Sequence, residues 1–140
     1  MSIPPFVDST GLLPPGDHEA TLDEVKERFC WNYRRRVIYN GIEFTACELT
    51  KLQVTEIWLD GSFVTNKERP RDADVAYEVP AGSDPATWGL FSPQRRRDLK
   101  QYQHVDLLHY WPGQPSIRDF FCEDRNGTAK GIVRLLAGQP

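Results

Sequence analysis

The pair Gly61-Ser62, followed after nine residues by Asp72-x-Asp74, is the part of this 140-residue sequence best suited to chemistry. On an extended strand, residues i and i+2 point to the same face with Cα atoms ~6.6 Å apart, so Asp72 and Asp74 can project both carboxylates into one space. Two such charges repel. Packing them together is costly unless a cation lies between them, and hard oxygen ligands presented this way suit Mg²⁺ or Mn²⁺. Asp106 stands between Val105 and Leu107 in a later apolar run, where an unpaired charge is expensive unless it faces the same cation. Gly61 has no Cβ, so the backbone there can approach a phosphate closely, and the amides and hydroxyl of Ser62 can donate to its oxygens. A triphosphate would sit between these donors and the metal ions. Two ions ~3.5–4 Å apart can hold it, stabilise a leaving pyrophosphate and lower the pKa of an attacking hydroxyl, which is nucleotidyl-transfer chemistry.

The elements that must position these residues follow from the local pattern. Pro4-Pro5 and Pro14-Pro15-Gly16 prevent a continuous helix or central strand at the start, so residues 1–20 are expected to form an extended, proline-rich arm over the body. Thr21 and Glu24 have capping-box spacing, and Leu22, Val25 and Phe29 recur at helical intervals, predicting a helix over residues 22–31. A longer helix is expected from Arg35 to Gln53 on the stripe Ile38, Ile42, Cys47, Leu49 and Leu52, with Gly41 a weak point costing ~1 kcal/mol against Ala. Residues 54–59 read as a buried strand ended by Asp60-Gly61, and Ala73 to Val79 alternates as a second strand. Pro80 to Trp88 reads as a loop; Ser92-Pro93 then opens a helix through Gln103, and His104 to Tyr110 forms a third strand. In the tail, Ile117 to Cys122, a turn at 124–127, and Gly131 to Leu136 fit either a hairpin or a helix leading into a short strand.

Composition bounds the class. With 17 Lys plus Arg against 20 Asp plus Glu, 39 % hydrophobic and 26 % charged residues, one ordinary domain over residues 1–140 is expected, and neither general disorder nor broad non-specific nucleic-acid binding. The 11 prolines argue against a helical bundle or coiled coil. No apolar run reaches the ~18 residues of a membrane helix and no signal-like segment is present, so the expected location is cytoplasmic, with no membrane partner. Cys30, Cys47 and Cys122 are widely spaced and read as small buried hydrophobes rather than a disulfide framework or zinc site. His104 and His109 are five apart and point to opposite faces of a strand, His18 reads as structural, and the sequon at Asn126 as accidental. Arg95-Arg96-Arg97 opposes the macrodipole at its helix start; it fits an anionic partner, such as a triphosphate tail or an RNA acceptor, as well as a solvated face. For Arg34-Arg35-Arg36 the solvated face is preferred.

Gly-Ser, nine residues, Asp-Ala-Asp, and a later carboxylate between apolar residues resemble the DNA polymerase β-like nucleotidyltransferase superfamily, above all its minimal members. Across nearly the whole chain, IPPF, LLPPGDHEATLDEVKERF, LDGSFVTNKERPRDADV and FFCEDRNGTAKGIVRL resemble an uncharacterised family of small bacterial and phage nucleotidyltransferase-like proteins. The resemblance implies an α/β (α+β) nucleotidyltransferase fold, a small mixed sheet flanked by helices. It places Gly61 and Ser62 at the phosphate turn, Asp72 and Asp74 as ligands of both metal ions, and Asp106 as third carboxylate and base. Arg71 stands where many minimal members have Ser, and Phe63-Val64-Thr65 replaces their small-residue and Arg-Gly sequence. Lys67, Arg69 and Arg71 can compensate by neutralising triphosphate charge. The implied activity is Mg²⁺-dependent transfer of a nucleoside monophosphate from an NTP to a hydroxyl of a protein or RNA. The alternative is an inactive binding module, such as one half of a toxin–antitoxin or phage-defence pair.

Overall fold

The computed structural model describes residues 3–84, 92–113, 123–124 and 126–136. The described residues form, in chain order, β1 (Gly16–Ala20), α1 (Leu22–Phe29), α2 (Tyr33–Lys51), β2 (Glu56–Asp60), β3 (Ala73–Glu78), α3 (Pro93–Gln103), β4 (Val105–Tyr110) and β5 (Gly131–Leu136). The strands form one mixed sheet in the order β1-β5-β2-β3-β4. β1 runs parallel to β5 and β3 parallel to β4, while β2 is antiparallel to both of its neighbours.

The helices cover one face. Val25, Phe29, Ile38, Ile42, Leu49 and Leu99 pack with Ile57, Leu59, Val75, Tyr77, Val105 and Leu107 in the main core. The alternate strand positions point the other way, where Trp58, Ala76, Tyr110 and Ile132 form a smaller cluster. Asp60, Asp74 and Asp106 fall in this second set, on the face opposite the main core that the described helices cover. Among the described residues no helix is long and apolar enough to cross a membrane.

Several elements fall where the sequence places them. Thr21 and Glu24 form the capping box. Ser92 caps α3 with Pro93 in its first turn, and His104 closes that helix in the left-handed conformation. Others differ. The last residues of the expected arm, Gly16–Ala20, form an edge strand; the segment GDHEA has little β-propensity, and its conformation comes from pairing with β5. Helix α2 runs two residues earlier at both ends than its apolar stripe suggests, because Asn32 caps it by accepting from the Arg35 amide at 2.9 Å and Gln53 takes a φ of 70°. Gly41 is no weak point: a Cβ there would collide with the Gln103 carbonyl where α2 meets α3. Cys47 is exposed rather than buried, and Cys30 is half-buried, its thiol pushed up by burial. Residues 131–136 form β5, a central strand, while Glu123 and Ala129 pair across the turn at 124–127. Cys122, the segment 117–122 and most of the loop after Asp84 lie outside the described residues.

Candidate active site

Strand register brings the acids together. Asp60, the last residue of β2, pairs with Asp74 on β3, and Asp74 pairs in turn with Asp106 on β4. Paired residues of adjacent strands share a face, so the three stand in one row across the sheet, with strands about 4.8 Å apart. Asp72 precedes Asp74 by two positions and joins it at the rim of a cleft of about 680 Å³. Gly61, Ser62, Lys67 and Arg71 line the same cleft, as do Asp60 and Lys130.

The turn after β2 shows why Gly61 is glycine. Its φ is 85°, and a Cβ there would lie 3.2 Å from the Asp74 carboxylate. A single 3-10 turn, Ser62–Val64, follows. The turn is held from below by Arg35, which is completely buried. Its guanidinium donates to the carbonyls of Phe63 (2.6 Å), Thr65 (2.6 Å), Lys67 (2.7 Å) and Phe29 (3.2 Å). It also stacks on Trp31, 3.7 Å from the ring centroid. Arg34 donates to the carbonyls of Pro70 and Arg71, fixing the backbone that leads into Asp72. The expectation that Arg34 and Arg35 belong to a solvated face is therefore corrected: the rigid fork of five donors suits a guanidinium to gathering carbonyls that no helix or strand satisfies.

Electrostatics distinguish Asp60, Asp74 and Asp106. Asp60 is buried and held by Lys130, whose Nζ lies 2.6 Å from Oδ1; burial raises its pKa and the lysine opposes that rise. Asp74 is pushed up to about 6, first by burial and then by the charges of Asp60, Asp106 and Asp72. Asp106 is turned toward α3, its oxygens 3.8 Å from Arg96 and 3.8 Å from Lys100. It lines a neighbouring groove rather than the main cleft.

The structure thus gathers Gly61, Ser62, Lys67, Arg71, Asp72 and Asp74 into one cleft and leaves Asp106 one strand away with its carboxylate facing outward. Arg69 is exposed and is not among the described residues lining the cleft. Asp60, Glu123 and Asp124 line the cleft where Asp106 does not, and of these Asp60 is the buried one. Its signal was present in the sequence: a carboxylate directly after Ile57-Trp58-Leu59 is as expensive to bury as one between Val105 and Leu107. Lys130 carried no such signal, being set by the pairing of β5 with β2.

Hard oxygen donors crowded so that one of them resists ionising suit a divalent cation, which would relieve their mutual repulsion. Among the described residues no three His, Cys, Asp or Glu side chains, as they stand, are grouped closely enough to hold one.

The mixed sheet with helices on one face and an acid row on the other defines an α/β protein with a polar cleft at the strand ends. The chain belongs to the family of unknown function DUF6932, whose sequence profile matches residues 4–136. No curated protein and no solved structure matches it.

Proposed function

We propose that the protein is a metal-dependent nucleotidyltransferase of the DNA polymerase β-like type, transferring a nucleoside monophosphate from an NTP to a hydroxyl of a protein or RNA acceptor. The observation that carries this reading is the register of Asp60, Asp74 and Asp106 across β2, β3 and β4, ending beside the Gly61-Ser62 turn. That turn offers amides and a hydroxyl to phosphate oxygens, and Lys67, Arg71 and Lys130 supply cationic heads around the same cleft. Asp72 and Asp74 would hold Mg²⁺ or Mn²⁺, with Asp60 or Asp106 as the third oxygen source. When bound, the ion neutralises triphosphate charge and makes the acceptor hydroxyl easier to deprotonate. Arg35 keeps the turn in place through its backbone carbonyls and the Phe63 ring, and Asp106, once turned from Arg96 and Lys100, would accept a proton or hydrogen bond from the incoming hydroxyl.

The test is to incubate the protein with each α-labelled NTP, Mg²⁺ or Mn²⁺, and a cell lysate. A labelled protein or RNA band is expected with wild type and not with Asp72→Ala/Asp74→Ala.

One observation favours the second reading, an inactive nucleotidyltransferase-like module of a toxin–antitoxin or phage-defence pair. Asp60 and Asp106 are already partnered by Lys130, Arg96 and Lys100. On that reading no label transfers, and a partner protein co-purifies equally with wild type and the double variant.

A further inference from the structure

Helix α3 carries Arg95, Arg96, Arg97 and Lys100, in a chain whose net charge is −3. Arg96, Arg97 and Lys100 line, with Pro93 and Asp106, a groove of about 340 Å³ beside β4, the edge strand of the sheet. Asp106 is the single acid among the described residues of this groove. Its two ion pairs are long, 3.8 Å each, and the heads of Arg96 and Lys100 remain 43 % and 58 % exposed. Three cations around one carboxylate leave a local surplus of positive charge that attracts an anion. Arg96 and Lys100 are four residues apart on one helix face, about 6 Å along the axis, close to one step of a phosphate backbone.

We propose that this groove binds the sugar-phosphate backbone of a single-stranded nucleic acid, with phosphates on Arg96, Arg97 and Lys100 and a sugar hydroxyl donating to Asp106. An acceptor-only carboxylate among cations fits a phosphate with a sugar hydroxyl beside it, whereas the side chains of a polyglutamate peptide bring anions and no hydroxyl. The inference deepens the proposed transferase reading, because Asp106 is the register partner of Asp74 and a strand end in the groove would present its hydroxyl to the acid row. Binding itself is independent of turnover and is measured without NTP or metal, so failure here and failure of the transferase reading are distinguishable.

The experiment is fluorescence anisotropy with a short mixed-sequence single-stranded RNA, its DNA counterpart and a labelled polyglutamate peptide, over a range of salt. With three cations engaged, the slope of log K against log salt is expected near about −2. Arg96→Gln/Lys100→Gln is expected to weaken binding at least about tenfold at low salt and to bring the slope to about −0.7, with an unchanged thermal midpoint. Arg97→Glu is expected to weaken binding in the same direction, and Lys51→Gln, on an exposed side chain of α2, to leave it unchanged. RNA is expected to bind more tightly than DNA, whose internal sugars carry no free hydroxyl for Asp106; tighter binding of DNA would overturn the role given to Asp106. The proposal is overturned if neither oligonucleotide binds, if polyglutamate binds more tightly, or if the double variant binds as wild type does.

Discussion

Lys130 Nζ lies 2.6 Å from Asp60 Oδ1, and both side chains are nearly inaccessible, 11 % and 3 % exposed. The pair ties the start of β5 to the end of β2 at the floor of the cleft. Lys130→Met leaves Asp60 buried beside Asp74 with no counter-charge, and a loss of about 3–5 kcal/mol in urea unfolding is expected. Asp60→Asn combined with Lys130→Met is expected to cost less than Lys130→Met alone. Equal losses in the single and double variants would show that the pair is not coupled.

Arg35 anchors the turn at Gly61-Ser62 from the core side. Replacing it by Met strands the carbonyls of Phe63, Thr65 and Lys67 without a donor, so a cost of at least about 3 kcal/mol is expected. Arg35→Lys keeps the charge and loses the fork, and is expected to recover only part of this. Hydrogen exchange should show the amides of residues 61–67 losing protection ahead of the strands. Uniform loss of protection across the sheet would mean that Arg35 serves the core as a whole.

Gly61→Ala introduces a Cβ at a backbone of φ 85° and ψ −171°, a region essentially restricted to glycine, 3.2 Å from the Asp74 carboxylate. The backbone cost is about 1–3 kcal/mol, and the displaced carboxylate is expected to reduce nucleotide transfer more than that loss of stability alone would. A variant that is less stable but fully active would separate the turn from the chemistry.

Much of the fold was legible because local chemistry and tertiary structure agree there. Thr21 and Glu24, Ser92 with Pro93, and the alternation from Ala73 onward each specify their element without help. What stayed hidden depends on partners distant in sequence. GDHEA becomes a strand only beside β5, Gly41 is required only because Gln103 packs against it, and three successive arginines look alike until the fold buries one of them. The same holds at the site. Gly61, Ser62, Asp72 and Asp74 share one cleft as their spacing suggests, whereas the side chain of Asp106 answers to Arg96 and Lys100 on a helix, which no spacing along β4 encodes.

Glu24 provides a pH dependence. Accepting from the Thr21 backbone amide holds its pKa near about 2, against 4.5 ordinarily. A carboxylate whose folded value is depressed contributes stability that is complete above its unfolded pKa and is lost as pH falls toward the folded one. Between about pH 4.5 and 2, wild type should therefore lose stability more steeply than Glu24→Gln, measured by thermal unfolding. Parallel curves for the two proteins would remove the capping box as the source.

The claim on which the rest depends is that Asp72 and Asp74 hold a divalent cation together with a triphosphate. The direct measurement is free Mn²⁺ by electron paramagnetic resonance during titration of the protein in the presence of a non-hydrolysable NTP analogue. Wild type is expected to remove Mn²⁺ from solution in a nucleotide-dependent way, and Asp72→Ala/Asp74→Ala to remove none beyond what the analogue binds by itself. Uptake that is identical in the two proteins, or absent from both, would contradict it.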